Sequence, residues 1–109
     1  MNICLIPARI GSKRIKKKNI KKFYGKPLIS YAILNAKKSN LFKKIIVSTD
    51  SETVAKIAVK YGAEVPFLRP KKFSNDKATD AQVRKHFLNY CKKEKINFKY
   101  LCYLYPTTP

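Results

Sequence analysis

The sequence predicts an α/β fold built on a mostly parallel β-sheet. Short runs of apolar and β-branched residues alternate along the chain with longer segments whose apolar residues recur every three or four positions. The resulting order is strand, helix, strand, helix, strand, helix, strand, which is typical of parallel strands joined by right-handed crossovers. A length of 109 residues corresponds to one domain or to part of one.

The first strand is predicted at residues 2–8, a short apolar run that Pro7 ends. Residues 9–19 are predicted to form a loop, because this segment is too charged for a core. A turn leads into the first helix, with Pro27 at its first position and its end near residues 39–40. The inward-facing positions of this helix are Leu28, Ile29, Ala32, Ile33 and Ala36.

The second strand is predicted at residues 44–50, where β-branched side chains dominate. Either Asp50 or Ser51 is expected to cap the helix that follows. Gly62 suits the position just after this helix, and a short third strand is predicted at residues 64–68. The apolar positions with helical spacing are Val54, Ile57, Ala58 and Tyr61.

The third helix is predicted to begin at Thr79, because Gln82 stands three positions later and completes a capping box. The fourth strand is predicted at residues 98–105. The inner stripe of the third helix is Val83, Phe87, Tyr90 and Cys91.

The predicted strand order is 3-2-1-4, in which the chain reverses direction between strands one and four. In open α/β sheets, ligands bind beside the carboxyl ends of the strands at such a point. The loops at residues 9–13 and 105–108 are therefore expected to meet at one site.

The chain is strongly basic, with 25 lysines and arginines against 6 acidic residues and a net charge of +19. Such a charge attracts polyanions, and nucleic acid is one candidate. Lysine far outnumbers arginine while isoleucine and asparagine are frequent, a mixture that A/T-rich coding also produces. The distribution is more informative, because nine cations lie between Arg9 and Lys26 and no acidic residue precedes Asp50. This clustering favours a local anion site.

The three cysteines, Cys4, Cys91 and Cys102, show no CxxC spacing and indicate neither a disulfide framework nor a zinc site. Buried free thiols are expected. No apolar stretch approaches the roughly 20 residues of a membrane span, and the first residues lack a signal-peptide pattern. A cytoplasmic protein without a membrane partner is expected.

The loop after the first strand has the residue types of a polyphosphate site. Gly11 permits a close backbone approach, Arg9 and Lys13 offset negative charge, and Ser12 offers a hydroxyl donor. Neither a Walker A loop nor the GxGxxG pattern is present. We therefore expect a nucleoside triphosphate to bind here.

Four segments, in their order and spacing, resemble those of a known family: IPARIGSKRIKKKNI, YGKPLISYAI, KIIVSTDSETVAKIAVKYGAEVPFLRP and YPTTP. They are similar to the CMP-sialic acid synthetases, or acylneuraminate cytidylyltransferases. VPFLRP and Tyr105 favour the pseudaminic acid cytidylyltransferase branch. The resemblance covers nearly the whole chain and implies a Rossmann-like, GT-A-like, three-layer nucleotidyltransferase fold.

The resemblance implies a transferase that moves CMP from CTP to a nonulosonic, nine-carbon sugar acid, with release of pyrophosphate. The sugar's anomeric hydroxyl would attack the α-phosphate of CTP. Mg²⁺ is implied as the cofactor, with its ligands outside this chain, so no metal ligand is assigned here. A homodimer is implied for the full-length protein.

Functional positions carry over from the resemblance residue by residue. Arg9 and Lys13 are implied as catalytic, because positioning and charge stabilisation supply most of the rate in phosphoryl-type transfer. Arg69 matches a position near the cytosine, and Tyr105 begins the second segment of the nucleotide pocket. The implied nucleotide-binding residues are Ala8, Arg9, Gly11, Ser12, Lys13, Lys18, Asn19, Arg69, Tyr105 and Thr107.

The sequence departs from the family pattern in two respects. The family has Gly-Gly where this chain has Ile10-Gly11, and a β-branched residue at a position of positive φ would be strained. Family members are also about twice as long, and this chain ends at Pro109 inside a recognisable motif. We therefore expect residues 1–109 to form the truncated, N-terminal, CTP-binding part of the domain.

Four polar residues have structural interpretations that we favour over functional ones. Asp50 is expected to act as a helix cap rather than as a nucleotide ligand. Asp76 and Asp80 are expected to be a solvated residue and a cap-region residue rather than a metal pair. His86 is expected to be a packed or half-exposed histidine rather than a catalytic base.

Two further features leave alternatives open. Tyr100 and Tyr103 are expected to pack in the core, whereas Tyr105 is expected to reach the crevice. The lysines at residues 16–18 and 21–22 are also compatible with a nuclear signal or an RNA-binding site, and hence with an alternative function, a non-catalytic basic nucleic-acid-binding protein on a related fold. Nucleic acid is the less favoured partner, because aromatic residues are not interleaved with the lysines. An inactive fragment is the remaining alternative.

Overall fold

The computed structural model describes residues 1–8, 22–23, 25–70 and 79–106. Within them, a parallel three-stranded sheet has its longest strand in the centre, in the order β4-β1-β5. The elements in chain order are β1 (Asn2–Pro7), β2 (Lys22–Phe23), β3 (Lys26–Pro27), α1 (Leu28–Ser39), β4 (Lys44–Ser48), α2 (Glu52–Lys60), α3 (Asp80–Lys93) and β5 (Tyr100–Tyr103).

The predicted strand order is confirmed. The segment at residues 64–68 lies beside β4 and makes parallel bridges from Glu64 to Ile46 and from Leu68 to Thr49. These isolated bridges stand where the third strand was predicted, so the order 3-2-1-4 runs from this segment through β4 and β1 to β5. The fourth strand is shorter than predicted, since β5 pairs with β1 only from Asn2 to Leu5 of that strand.

Two hydrophobic clusters cover the two faces of β1, because successive side chains of a strand point to opposite faces. Cys4 and Ile6 belong to the cluster that also contains the inner faces of α1 and α2. Ile3 and Leu5 belong to the other cluster, together with Phe87 of α3. Residues 3–6 are all fully buried, as expected for the central strand of a parallel sheet covered on both sides.

The helix boundaries follow the capping signals closely. At α3 the Thr79 hydroxyl accepts a hydrogen bond from the Gln82 backbone N–H at 3.2 Å, and the Gln82 side chain accepts one from the Thr79 N–H at 2.9 Å. Ser51, not Asp50, is the N-cap of α2, because its hydroxyl accepts from the Val54 N–H at 3.3 Å. The cap role expected for Asp50 is therefore wrong.

Of two expectations near the helix ends, the one for Pro27 is wrong in detail and the one for Gly62 is confirmed. Pro27 precedes the first helical residue of α1 instead of occupying it. The reason is that Pro27 has an extended backbone and pairs with Lys22 in the short β2–β3 ladder. Gly62 follows α2 with a φ of +102°, a conformation that glycine adopts at little cost.

Cys102 and Tyr100 are exposed, which contradicts the expectation that both are buried. Both belong to β5, an outer strand of the sheet within the described residues, and their side chains lie on the face opposite α3. Cys4 and Cys91 are buried free thiols, as expected. The parts of the chain that the structure describes contain no helix long and apolar enough to cross a membrane.

Stability is expected to fall in alkaline solution. Burial raises the pKa of the Cys4 thiol from 9.0 to about 12, and the neighbouring Cys102 adds to the rise. Between pH 9.0 and about pH 12 the Cys4 thiol keeps its proton in the folded chain and loses it in the unfolded chain, so rising pH favours unfolding. The free energy of unfolding should fall by up to ~1.4 kcal/mol per pH unit from this group.

Urea unfolding at several pH values between these limits measures the slope. A Cys4→Ala variant lacks the buried thiol and should show a shallower dependence on pH than the wild-type chain. If the free energy of unfolding depended equally on pH in the two proteins, the assignment of this dependence to Cys4 would be wrong.

Candidate active site

The carboxyl ends of the strands meet at one edge of the sheet, where the predicted site lies. The Ala8 backbone N–H donates to the Ser48 carbonyl at 2.8 Å, which joins the end of β1 to the end of β4. On the other side, the Leu104 N–H donates to the Leu5 carbonyl at 2.9 Å. Ala8 is buried, and it is followed directly by the predicted triphosphate loop, which lies outside the described residues.

Arg69 is anchored at the end of β4. Its backbone N–H donates to the Thr49 carbonyl at 2.7 Å, and its guanidinium donates to the Ser48 hydroxyl at 3.3 Å. Only 4% of Arg69 is exposed, and Ser48 and Thr49 are fully buried. A buried guanidinium with polar partners is held in one position, so Arg69 places a fixed cation at the carboxyl end of β4.

A cluster of two tyrosines and a carboxylate stands beside this edge. The Tyr103 hydroxyl donates to one oxygen of Asp80 at 3.1 Å, and the Tyr105 hydroxyl donates to the other oxygen. The two rings meet edge to face with their centroids 5.5 Å apart. The Arg84 guanidinium lies 5.1 Å from the centroid of the Tyr103 ring, within range of a cation–π contact.

Both phenols remain protonated at neutral pH. Burial raises the pKa of Tyr103, and the negative charge of Asp80 and the hydrogen bond to it add to the rise. The pKa of Tyr105 is also raised, chiefly by its hydrogen bond to Asp80. Each tyrosine therefore acts as a hydrogen-bond donor to the carboxylate.

Sequence reasoning missed the contacts of Asp80. It placed Asp80 in the cap region of the third helix, and Asp80 is indeed the first residue of α3. Its tyrosine partners lie 23 and 25 residues further along the chain, so no local spacing points to them. The expectation that Tyr103 packs in the core is correct for its ring, which is half-buried against the cluster beneath α3.

Three predicted site residues lie within the described parts of the chain: Ala8, Arg69 and Tyr105. All three stand at the carboxyl edge of the sheet, at the ends of β1, of the segment beside β4, and of β5. Tyr105 is 46% exposed, so its ring is accessible. The predicted residues outside the described parts are Arg9, Gly11, Ser12, Lys13, Lys18, Asn19 and Thr107.

Among the described residues, no group of three or more histidine, cysteine, aspartate or glutamate side chains is arranged to hold a metal. The carboxylate of Asp80 accepts two tyrosine hydroxyls instead, and Asp76 lies outside the described residues. His86 packs edge to face against Phe67 with centroids 4.8 Å apart, as expected for a packed histidine.

Curated relatives match nearly the whole chain. It is 44% identical over 108 residues to the pseudaminic acid cytidylyltransferase of Campylobacter jejuni, an alignment covering 99% of this chain and 47% of that protein. It is 38% identical over 107 residues to the CMP-N,N'-diacetyllegionaminic acid synthase of Legionella pneumophila, covering 98% of this chain and 46% of that protein. The chain thus spans about half the length of these relatives.

A solved structure confirms the fold. The CMP:2-keto-3-deoxy-manno-octonic acid synthetase in complex with CTP superposes with a TM-score of 0.77 over 96% of this chain and 39% of that one, at 21% identity. A family model described as cytidylyltransferase matches residues 3–104. This match includes nearly all of the sheet, the buried Arg69, and Asp80 with Tyr103, whereas Tyr105 lies one residue beyond its end. The chain therefore belongs to the cytidylyltransferase family.

Proposed function

We propose that this chain is the CTP-binding part of an enzyme that transfers CMP from CTP to a nonulosonic sugar acid, with pseudaminic acid as the favoured substrate. The observation that carries the proposal is the 44% identity to a pseudaminic acid cytidylyltransferase across 99% of the chain. The placement of Arg69 and Tyr105 at the carboxyl edge of the sheet supports it, because α/β sheets bind ligands there.

In the proposed reaction the anomeric hydroxyl of the sugar acid attacks the α-phosphate of CTP. A bond forms between that oxygen and the α-phosphorus, the hydroxyl proton is released to water, and the bond from the α-phosphorus to the bridging oxygen breaks, so that pyrophosphate leaves. Arg9 and Lys13 would offset the charge that develops on the phosphate oxygens. Lys18, Asn19, Arg69, Tyr105 and Thr107 would hold the nucleoside part.

We assign only the nucleotide-binding part of the function to residues 1–109, because they match about half the length of the relatives and include the predicted triphosphate loop. The ligands of the Mg²⁺ cofactor and the sugar-acid pocket are assigned to the part of the relatives that this chain does not match. A homodimer and a cytoplasmic location belong to the same proposal. They follow from the resemblance to the family.

CTP is expected to stabilise the chain against heat. At ten times the dissociation constant, a ligand of the native state adds ~1.4 kcal/mol, which is about 5–10 °C for a domain of this size. Arg9→Ala and Lys13→Ala should each abolish most of this shift, because each removes a cation from the triphosphate loop. Differential scanning fluorimetry with CTP and Mg²⁺ measures the shift.

Lys99→Ala is a matched control, since Lys99 is exposed and lies at the opposite end of β5 from the site. It should keep the CTP shift. Absence of any shift in the wild-type chain at millimolar CTP would overturn the proposal.

The charge of +19 favours nucleic-acid binding as the second candidate. RNA binding that weakens steeply with salt and survives Arg9→Ala would support that alternative.

A further inference from the structure

The contact between Asp80 and two tyrosines joins the start of α3 to the end of β5. Tyr103 is the last residue of β5, and Tyr105 lies two residues beyond it. Asp80 is the first residue of α3, one position after the Thr79 cap. The hydrogen bonds from Tyr103 and Tyr105 therefore fasten the exit of β5 to the first turn of a helix.

The cluster holds both rings from several sides. One carboxylate uses each of its oxygens for a different phenol, so neither tyrosine can turn without losing a charge-assisted hydrogen bond. The edge of one ring rests on the face of the other, and Arg84 lies over the Tyr103 ring. Asp80 also lies in the first turn of α3, where an acidic side chain stabilises a helix.

Tyr105 combines a fixed hydroxyl with an open ring. Its hydroxyl is bound to Asp80, yet 46% of the residue is exposed. Tyr103, by contrast, packs against the cluster beneath α3. An aromatic ring that is held in place and exposed at a ligand-binding edge is suited to contact the face of a planar base.

We propose that Asp80 is a positioning residue for nucleotide binding, which holds the Tyr105 ring at the carboxyl edge of the sheet so that the base of the nucleotide packs against it. This inference rests on the proposed function, because it takes the ligand to be CTP. It assigns to Asp80 a role that its place in the helix cap does not require, since the Thr79 hydroxyl already accepts the capping hydrogen bond.

The first experiment measures CTP affinity by isothermal titration calorimetry on the 109-residue chain. Asp80→Asn keeps the shape of the side chain but leaves only one acceptor oxygen, and Tyr105→Phe keeps the ring but removes its donor. Each variant should bind CTP about tenfold more weakly, because loss of a hydrogen bond to a charged group is a change of that order. The double variant should be no weaker than either single variant, since both changes break the same contact.

Two matched controls separate this role from general effects. Glu52→Gln neutralises the acidic residue in the first turn of α2, which has the same relation to its helix as Asp80. Tyr100→Phe removes the hydroxyl of an exposed tyrosine at the start of β5. Both controls should bind CTP as the wild-type chain does.

A second measurement tests the contact without any nucleotide. The chain has seven tyrosines and no tryptophan, so its ultraviolet absorbance reports tyrosine ionisation. Asp80→Asn should lower the pKa of Tyr103 and Tyr105 towards the ordinary range, since both are raised partly by Asp80. Glu52→Gln should leave the titration unchanged.

The outcomes separate the inference from the proposed function. If the wild-type chain binds CTP and Asp80→Asn binds it equally well, the inference is overturned and the proposed function stands. If the wild-type chain does not bind CTP, both are overturned. A weakened Asp80→Asn variant combined with an unaffected Tyr105→Phe variant would also overturn the inference, because Tyr105 would then not be the residue that Asp80 positions.

Discussion

Replacing Phe87 with alanine is expected to lower the free energy of unfolding by about 3–5 kcal/mol. Phe87 is 1% exposed and is the largest fully buried side chain among the described residues. Its ring lies between those of Phe67, Tyr90 and Phe98, with centroids 6.5, 6.3 and 6.4 Å away. Alanine would leave a cavity between α3 and the sheet, where Ile3 and Leu5 pack.

Leu88→Ala is the matched control, because Leu88 is the next residue of α3 and is 45% exposed. It should change stability by less than about 0.5 kcal/mol. Urea unfolding of the two variants and the wild-type chain measures both values. Equal losses in the two variants would contradict the packing described for α3.

The Phe87 variant also bears on the site. A domain has a total stability of about 5–15 kcal/mol, so this one change removes a large share of it. Because α3 carries Asp80, loosening the helix from the sheet should also weaken the hydrogen bonds to Tyr103 and Tyr105. The hydrogen-bonded cluster at Asp80 therefore depends on Phe87, a core side chain two turns further along α3.

Replacing Arg69 with alanine is expected to lower the free energy of unfolding by about 1.5–3 kcal/mol and to abolish CTP binding. The guanidinium is buried and donates to Ser48, so its loss would leave a buried hydroxyl without this donor and the site without a fixed cation. Arg69→Lys keeps the charge but not the planar donor geometry. It should have an intermediate effect on both quantities.

Leu68→Ala serves as the control for this prediction, because Leu68 is adjacent in the chain and 47% exposed. Chemical unfolding and calorimetric titration with CTP test the two effects separately. Full CTP affinity in a folded Arg69→Ala protein would show that Arg69 has only a structural role at the end of β4.

Much of the fold could be predicted from the sequence because it depends on neighbouring residues. The capping box at Thr79 and Gln82 is a contact over three positions, and it defines the start of α3. The side chains of residues 3–6 pack alternately into two hydrophobic clusters on opposite faces of β1, which follows from the apolar composition of this strand. Local rules did not decide between Asp50 and Ser51 as the cap, since both side chains can accept the same hydrogen bond.

The sequence by itself determined the alternation of the main strands and helices, the place of β1 in the sheet, the capping box of α3 and the family resemblance. These features arise from short-range periodicity, capping chemistry and motif spacing. The tertiary structure alone decided that Arg69 is buried against Ser48, 21 residues away, and that Cys102 is exposed. The hydrogen bonds from Tyr103 and Tyr105 to Asp80 also depend on the tertiary structure alone. These residues are far apart in the chain, and they meet only because α3 packs across the sheet and brings its first turn to the end of β5.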